Sequence, residues 1–528
     1  MDKTGPFNVL GEDKNMSVKT FAAIDVGSFE IALKIFAFSG KNNSKVVEHV
    51  RQRIALGADT YTDGKISMEK LDDLCRTLKE FGEIMKTYKV SAYKAYGTSS
   101  LRETANTRIV LDQIEQRTGI HIDTLSNSEQ RFLDYKAIAF TGESFKEAIT
   151  EGTAIVDIGG GSIQISLFDK DVLVATQNLK IGVLRIQEWL HQINAKSSQM
   201  EGLIDEIASA QLNTFKKLYL KDSKIKTLIL VDDYLSAWIV RRGKESGSST
   251  MVSVEEYERF FKMMHQVSKE EMSKKLGVST EAAQLTTISA CLVNRLIKLT
   301  DAERIWAPGV SLCDGIAYEY AEKNKIMLCD HDFEKDIVAC AMNISKRYLG
   351  SKKRAETLER ITMTIFDSMK KIHGLGNREK LYLRIAAILH DCGKFISMMD
   401  IGETSYHIIM ATEMIGLSHM EREIVANIVR YNHSPFVYED LSGQSSLTRE
   451  AYLTMAKLTA ILKVANGLDR SHKQKLKSVK AVLKDNELIL TIDTQEDILL
   501  EKGLFKKRAD FFKEVYNIQP VIKQKKMI

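Results

Sequence analysis

One short phrase occurs twice in this chain, and each time it has the form of an anion clamp. Residues 21–38 read FAAIDVGSFEIALKIFAF, and residues 154–169 read AIVDIGGGSIQISLFD. Each is an apolar strand ending in an aspartate (Asp25, Asp157), then a glycine turn carrying a serine (Gly27-Ser28; Gly159-Gly160-Gly161-Ser162), then a second alternating strand. Such a hairpin presents main-chain N–H groups and a hydroxyl to an anion, and sets a carboxylate beside them for a cation. Glycine turns between strands are common, so one copy would carry little weight. Two copies predict two similar α/β lobes gripping a phosphorylated ligand between them.

The length of 528 residues suits about three or four domains, and 44% hydrophobic residues supply material for their cores. A net charge of +5 is too small for a global nucleic-acid footprint, and no nucleic-acid partner is expected. The six cysteines (Cys75, Cys291, Cys313, Cys329, Cys340, Cys392) lack C-x-x-C spacing and sit mostly in apolar surroundings, the pattern of buried free thiols in a reducing cytoplasm. The opening MDKTGPFNVLGEDKNMSVK carries no cleavage signature, and no apolar run reaches the length of a membrane helix. The expectation is a cytoplasmic protein with no membrane partner.

Residues 1–18 are polar and expected to be disordered. A first α/β lobe spans 19–135: the hairpin, an amphipathic helix around 68–88, a strand near 91–97, and a helix opening at Thr98-Ser99-Ser100, whose hydroxyls look like caps. A second lobe over 136–324 repeats the theme, with a hairpin at 153–175, a strand at 225–231, helices around 254–298 and a strand at 304–307. Helical periodicity dominates 325–475, with i, i+3, i+4 apolar spacing through 355–373, 379–392 and 451–468. Residues 476–528 return to strand-like alternation and a helix around 505–515, a small α/β tail. With only four prolines in the chain, these boundaries rest on changes of pattern.

The duplicated hairpins, flanking the segment TSSLRETAN at Thr98–Asn106, resemble the exopolyphosphatase / guanosine pentaphosphate phosphatase family of the actin-like ATPase superfold. The stretch SNSEQRFLDYKAIAF from Ser126, KIGVLRI at Lys180 and VSLCDGI at Val310 extend the resemblance over about 20–320. The helical region beyond 325 resembles the HD-type domain that many members carry. The implied fold is two actin-like (ribonuclease H-like) lobes, an all-α HD-type domain and the α/β tail. The implied activity is hydrolysis of the terminal phosphoanhydride of inorganic polyphosphate, or of guanosine pentaphosphate, in a Mg²⁺-dependent cleft. On this resemblance Asp25 and Asp157 hold Mg²⁺, directly or through water. Gly27, Ser28, Thr98, Ser99, Gly159, Gly160, Gly161 and Ser162 bind phosphate oxygens, and Arg102 clamps a phosphate and stabilises developing charge. The other reading of Arg102 is an ion pair with Glu103 or Glu129. A homodimer is implied by analogy with the family.

The departures from the family pattern bear on catalysis. The family's general-base glutamate falls on Gln130, with Glu129 just before it, and GGGSTE becomes GGGSIQ, placing Gln164 at an expected acidic position. Phe29 stands where the family usually has Asn, and the GGT-type turn of superfold relatives reads VDDYL (Val231–Leu235), which speaks against an adenosine pocket and a sugar kinase. Glutamine can orient a water but cannot take its proton. Two readings follow: a hydrolase using Glu129, Gln130, Asp157 and Arg102 with Glu129 as the base, or a binder that senses polyphosphate or (p)ppGpp without hydrolysing it. A third places the chemistry in the helical domain. There His390-Asp391, followed in order by His407, His433 and Asp469, resembles an HD metal set suited to Mn²⁺, Fe²⁺ or Ni²⁺. The first histidine of that pattern falls on Arg354, whose guanidinium would repel a cation; His373 is an alternative but lies too near His390 in sequence. A basic stretch (Arg470, His472, Lys473, Lys475, Lys477, Lys480, Lys484) is a solvated face or a track for a polyphosphate chain.

Overall fold

The run FAAI has no polar alternation because both faces of its strand are covered. In the computed structural model, which describes residues 18–40, 42–221, 223–232, 234–246, 250–438 and 447–525, this run lies in β1 (Lys19–Val26). With β2 (Glu30–Phe38), β3 (Ser44–Arg53), β4 (Ala92–Gly97) and β5 (Asp123–Thr124) it forms a sheet in the order β3-β2-β1-β4-β5. The first three strands are antiparallel, while β1, β4 and β5 are parallel. Ala22, Ile24 and Val26 pack into a core with Leu71, Leu74, Leu78 and Phe81 of the helix Met68–Thr87 and with Val110 and Ile114 of Thr107–Thr118. Phe21 and Ala23 pack with Leu312, Cys313 and Ile316 of the helix Leu312–Lys323. A strand sandwiched in this way reads as a continuous apolar run.

The second sheet contains β6 (Thr153–Ile158), β7 (Ile163–Asp169), β8 (Val172–Leu179), β9 (Thr227–Asp232), β10 (Met251–Ser253) and β11 (Arg304–Trp306), in the order β10-β11-β9-β6-β7-β8. Taken from β8, the succession β8-β7-β6-β9-β11 repeats the strand order of the first sheet, and β6, β9 and β11 are again parallel. The duplication visible in the sequence is therefore a duplication of topology, the meander-plus-crossover arrangement of an actin-like lobe. β10 is an antiparallel addition at one edge.

Contacts divide the chain into two units: residues up to Gln164 with Leu179–His331, and Ile165–Asn178 with residues from Asp332 onward. The second unit is mainly helical: Phe333–Arg347, Lys352–Ser368, Asn377–Leu389, Ile401–Ala411, His419–His433 and Arg449–Leu468. The last of these is buried along most of its length. β12 (Ser478–Lys484) pairs antiparallel with β13 (Glu487–Asp493), and β14 (Gln519–Gln524) joins β13 in parallel after the helix Leu499–Tyr516.

Local differences from the sequence reading have local causes. The helices expected around 254–298 are Val254–Gln266, Lys269–Leu276 and Thr280–Thr300, each started by a serine N-cap (Ser253, Ser268, Ser279). The expected caps at Thr98 and Ser99 make no cap hydrogen bond; Ser99 is engaged elsewhere, as described below. Residues 1–17 of the segment expected to be disordered lie outside the described residues.

The first unit contains a buried ion pair. Lys34 Nζ on β2 donates to both carboxylate oxygens of Asp314, at 2.7 and 2.8 Å, and Asp314 also accepts from Ser311 N at the start of its helix. Removing one partner of such a pair leaves a buried uncompensated charge. Lys34→Met is expected to lower stability to urea by about 3–5 kcal/mol. Lys34→Met/Asp314→Asn, which removes the charge and keeps the acceptor for Ser311, should recover part of that loss.

Candidate active site

Asp25 and Asp157 occupy equivalent places, each the penultimate residue of the first strand of its sheet. Asp25 lies opposite Ala32 on β2 and Tyr96 on β4, and Asp157 opposite Val231 on β9. Both lie where an antiparallel meander meets a parallel crossover, at the carboxyl ends of strands, the usual place for ligands in open α/β sheets. The turns that follow are closed by Gly27 N donating to Glu30 O (3.1 Å) and Gly159 N donating to Ser162 O (3.0 Å). These two N–H groups close the hairpins.

The two turns meet. A Cβ on Gly160 would lie 2.9 Å from Ser28 Cβ, and one on Gly161 would strike the Tyr61 hydroxyl and approach Ser99 Cβ to 3.3 Å. Only glycine permits this approach. At the junction three hydroxyls form a ring: Ser28 Oγ to Ser99 Oγ at 2.8 Å, Ser28 Oγ to Tyr61 OH at 3.0 Å, and Tyr61 OH to Ser99 Oγ at 3.0 Å. Ser28 and Ser99 are buried, as are Thr98 and Ser162 beside them. Ser99 reaches this point because the chain leaving β4 is fixed by Thr98 N donating to Val26 O and Leu125 N donating to Gly97 O.

Tyr61, on the helix Leu56–Thr62, had no signal in the sequence reading. Arg185 lies in the KIGVLRI segment, where the sequence alone assigns it no role. Its guanidinium stacks over the Tyr61 ring at 4.6 Å, its Nε donates to Gly161 O at 3.0 Å, and its Nη2 pairs with Glu103 at 2.6 Å. Glu103 thus pairs with Arg185. Arg102 Nη1 donates to Leu125 O at 2.6 Å.

The glutamine positions also have structural explanations. Gln164 Oε1 accepts from Arg131 Nε at 2.9 Å, both side chains being buried. Gln130 Oε1 is buried and makes no hydrogen bond among the described residues. Glu129 starts the helix Asn127–Ala139 as half of a capping box: its Oε2 accepts from Ser126 N, and Ser126 Oγ accepts from Glu129 N. Asp232, in the VDDYL turn, accepts from Leu235 N, Ser236 N and Ser289 Oγ, so this turn is capped by its own carboxylate.

In the second unit the expected metal set does not assemble. Among the described residues no three His, Cys, Asp or Glu side chains lie close enough to share an ion. His407 is exposed, on the side of its helix away from the buried Ser405, Ile408 and Ile409. His433 Nε2 donates to His390 O at 2.5 Å. Arg354 lies among the acids, its Nε donating to Asp469 at 3.3 Å and its Nη1 3.7 Å from Asp391. His373 is buried apart, with Nε2 donating to Phe366 O. Of the basic stretch, Lys475 is tied to Glu501 at 3.1 Å, while Arg470, Lys473, Lys480 and Lys484 are exposed.

The family model of the Ppx/GppA phosphatase family matches residues 37–324, and that of the family's domain III matches residues 339–510. The chain belongs to the Ppx/GppA phosphatase family. It is 20% identical over 502 residues to a guanosine-5'-triphosphate,3'-diphosphate pyrophosphatase of Vibrio atlanticus, covering 91% of this chain and 93% of that one. It is 26% identical over 170 residues to exopolyphosphatase 1 of Mycobacterium tuberculosis, covering 32% and 48%. Among solved structures, the Aquifex aeolicus Ppx/GppA family member aligns with a TM-score of 0.49 at 16% identity, over 58% of this chain and 99% of its own. An exopolyphosphatase from Cytophaga hutchinsonii gives 0.49 at 20%, over 58% and 98%. Among the described residues no helix is long and apolar enough to cross a membrane.

The turn junction makes a coupled prediction. Tyr61→Phe leaves Ser28 and Ser99 paired with each other and should cost roughly 0.5–1.5 kcal/mol of stability. Gly161→Ala overpacks the junction and should cost about 1–3 kcal/mol. Because the added methyl strikes the Tyr61 hydroxyl, the double variant should be more stable than the two single losses predict, read by a denaturant double-mutant cycle.

The helical unit makes a prediction about acid. Burial lowers the pKa of His390 to about 3 and that of His433 to about 4, from 6.5. The unfolded chain therefore takes up protons that the folded one refuses, so this stability is complete above about pH 6.5 and falls as the pH drops toward 4. Melting temperature should decline over that window, and His433→Asn should make the decline shallower.

Proposed function

We propose that this protein hydrolyses the terminal phosphoanhydride of a phosphate chain, inorganic polyphosphate or the 5′ end of guanosine pentaphosphate, at the junction of the two hairpin turns. The observation that carries this reading is the meeting of the duplicated turns around the hydroxyls of Ser28, Ser99 and Tyr61, beside the strand-end carboxylates Asp25 and Asp157.

The donor set suits Mg²⁺, which takes one or two carboxylates and keeps its waters. Asp25 and Asp157 would hold it, and its charge would offset that of the phosphoryl oxygens. Ser28 and Ser99 exchange their mutual hydrogen bonds for bonds to phosphate oxygens, and Gly160 and Gly161 let those oxygens approach the main chain. Arg102 stabilises charge on the transferred group, while Arg185 holds Tyr61 and the Gly161 carbonyl in place. Water attacks the terminal phosphorus, the new P–O bond forms as the anhydride P–O bond breaks, and the water proton passes to Glu129.

A second reading is favoured by Gln164, which accepts from the buried Arg131 where an acid is expected. On that reading the protein binds the phosphate chain and releases none of it.

One experiment separates the two: orthophosphate release from long-chain polyphosphate and from guanosine pentaphosphate with Mg²⁺. Glutamine serves a capping box as glutamate does, so Glu129→Gln keeps the helix start and removes only the base. Release should be lost in Asp157→Ala and fall roughly 10²- to 10⁴-fold in Glu129→Gln. A wild type that binds polyphosphate and releases no orthophosphate would overturn the hydrolase and establish the second reading.

A further inference from the structure

We infer that Arg354 is a built-in cation occupying the place of a metal ion in the helical unit, so that this unit holds its acidic centre together without metal. Exchanging Arg354 for histidine would therefore create a divalent metal site there. The residues a metal would need are present, and the arrangement around them does not fit one.

Arg354 sits in the first turn of its helix, where its N–H donates to Ser351 Oγ, and it is 3% exposed. Its guanidinium reaches three partners: Asp469 Oδ2 from Nε at 3.3 Å, Asn466 Oδ1 from Nη2 at 2.8 Å, and Asp391 Oδ2 from Nη1 at 3.7 Å. It is a wedge between two carboxylates whose owners are 7% and 1% exposed. Behind Asp391 stands His390, fully buried, with Nδ1–H donating to Ala387 O at 2.8 Å. That bond fixes the tautomer and leaves Nε2 a bare lone pair, which makes no hydrogen bond; Asp391 Oδ1 also makes none. An imidazole anchored through one nitrogen to a main-chain carbonyl is in the state that presents the other nitrogen to a metal.

Charge decides whether a metal enters. Asp391 and Asp469 bring two negative charges. Arg354, and Lys394 at 3.3 Å from Asp391, bring two positive ones. These four charges cancel. A divalent ion added to it would leave two uncompensated positive charges in a buried site, against a desolvation cost that only close opposite charge offsets. The guanidinium also separates the carboxylates, which explains why no three ligand side chains converge there among the described residues. With Arg354 replaced by histidine, one net negative charge remains, with two carboxylates and two imidazole lone pairs, a donor set that suits Mn²⁺ or Ni²⁺.

The test is Mn²⁺ binding followed by calorimetry and by melting temperature, in an Asp157→Ala background so that the strand-end carboxylates of the first unit do not contribute. With Arg354 present, neither Mn²⁺ nor EDTA should shift the melting of the helical unit. Arg354→His should bind an additional Mn²⁺ per chain and melt higher with Mn²⁺ than with EDTA, and adding Asp469→Asn should abolish both effects. A folded Arg354→His variant that gains no Mn²⁺ overturns the inference. So does a Mn²⁺ site in the Arg354 protein that disappears in Asp391→Asn, a comparison that stands even if the histidine variant fails to fold.

Discussion

The contact on which the rest of the first unit depends is the approach of two glycine turns. Gly160 and Gly161 come so close to Ser28, Tyr61 and Ser99 that a single methyl group on either would force the elements apart. Such a contact has meaning only if the strands delivering the turns are themselves fixed. They are, because β1 is packed on both faces and paired on both sides, and β6 pairs with β9 in the same register sense. The apolar run preceding each aspartate therefore does more than fill a core. It fixes the place where the chain can offer hydroxyls and carboxylates together.

Each unit contains a buried charge cluster that is answered within the chain. Lys34 answers Asp314, and Arg354 answers Asp469 and Asp391. Gln164 meets the buried Arg131 in another way. Its carbonyl oxygen takes the bond from Arg131 without adding a charge. A glutamate at 164 would face that guanidinium, which would hold its pKa down and make it a poorer base.

Much of this was legible in the sequence because it is written locally. A strand ending in D-x-G and repeated announces two like lobes, and the N-caps at Ser253, Ser268 and Ser279 can be read from their own tetrapeptides. The capping box at Ser126–Glu129 is equally legible as S-x-x-E and gives a structural reason for an acid there beside the readings of Glu129 as a base or a partner of Arg102. Tyr61 was invisible because its partners Ser28 and Ser99 lie 33 and 38 positions away and meet it only through sheet topology. Arg185 was hidden for the same reason. His390 and Asp391 read as metal ligands because adjacency is a one-dimensional signal, and Arg354 at the place of the first histidine was legible too; its bond to Asp469, 115 positions away, is a fact of packing.

The two units thus differ in how their acids are used, and this bears on what a metal requirement would mean. In the helical unit the acids are neutralised by a guanidinium and an ammonium whose charges cannot be chelated away. If Asp25 and Asp157 hold Mg²⁺ as proposed and Arg354 stands in for a metal, EDTA acts on the first unit alone. A loss of phosphate release on chelation would then report on Asp25 and Asp157 rather than on the His390-Asp391 pair. The separation follows from charge balance: a centre already neutral has no use for a second cation, whereas a phosphate chain brought beside two strand-end carboxylates cannot settle there without one.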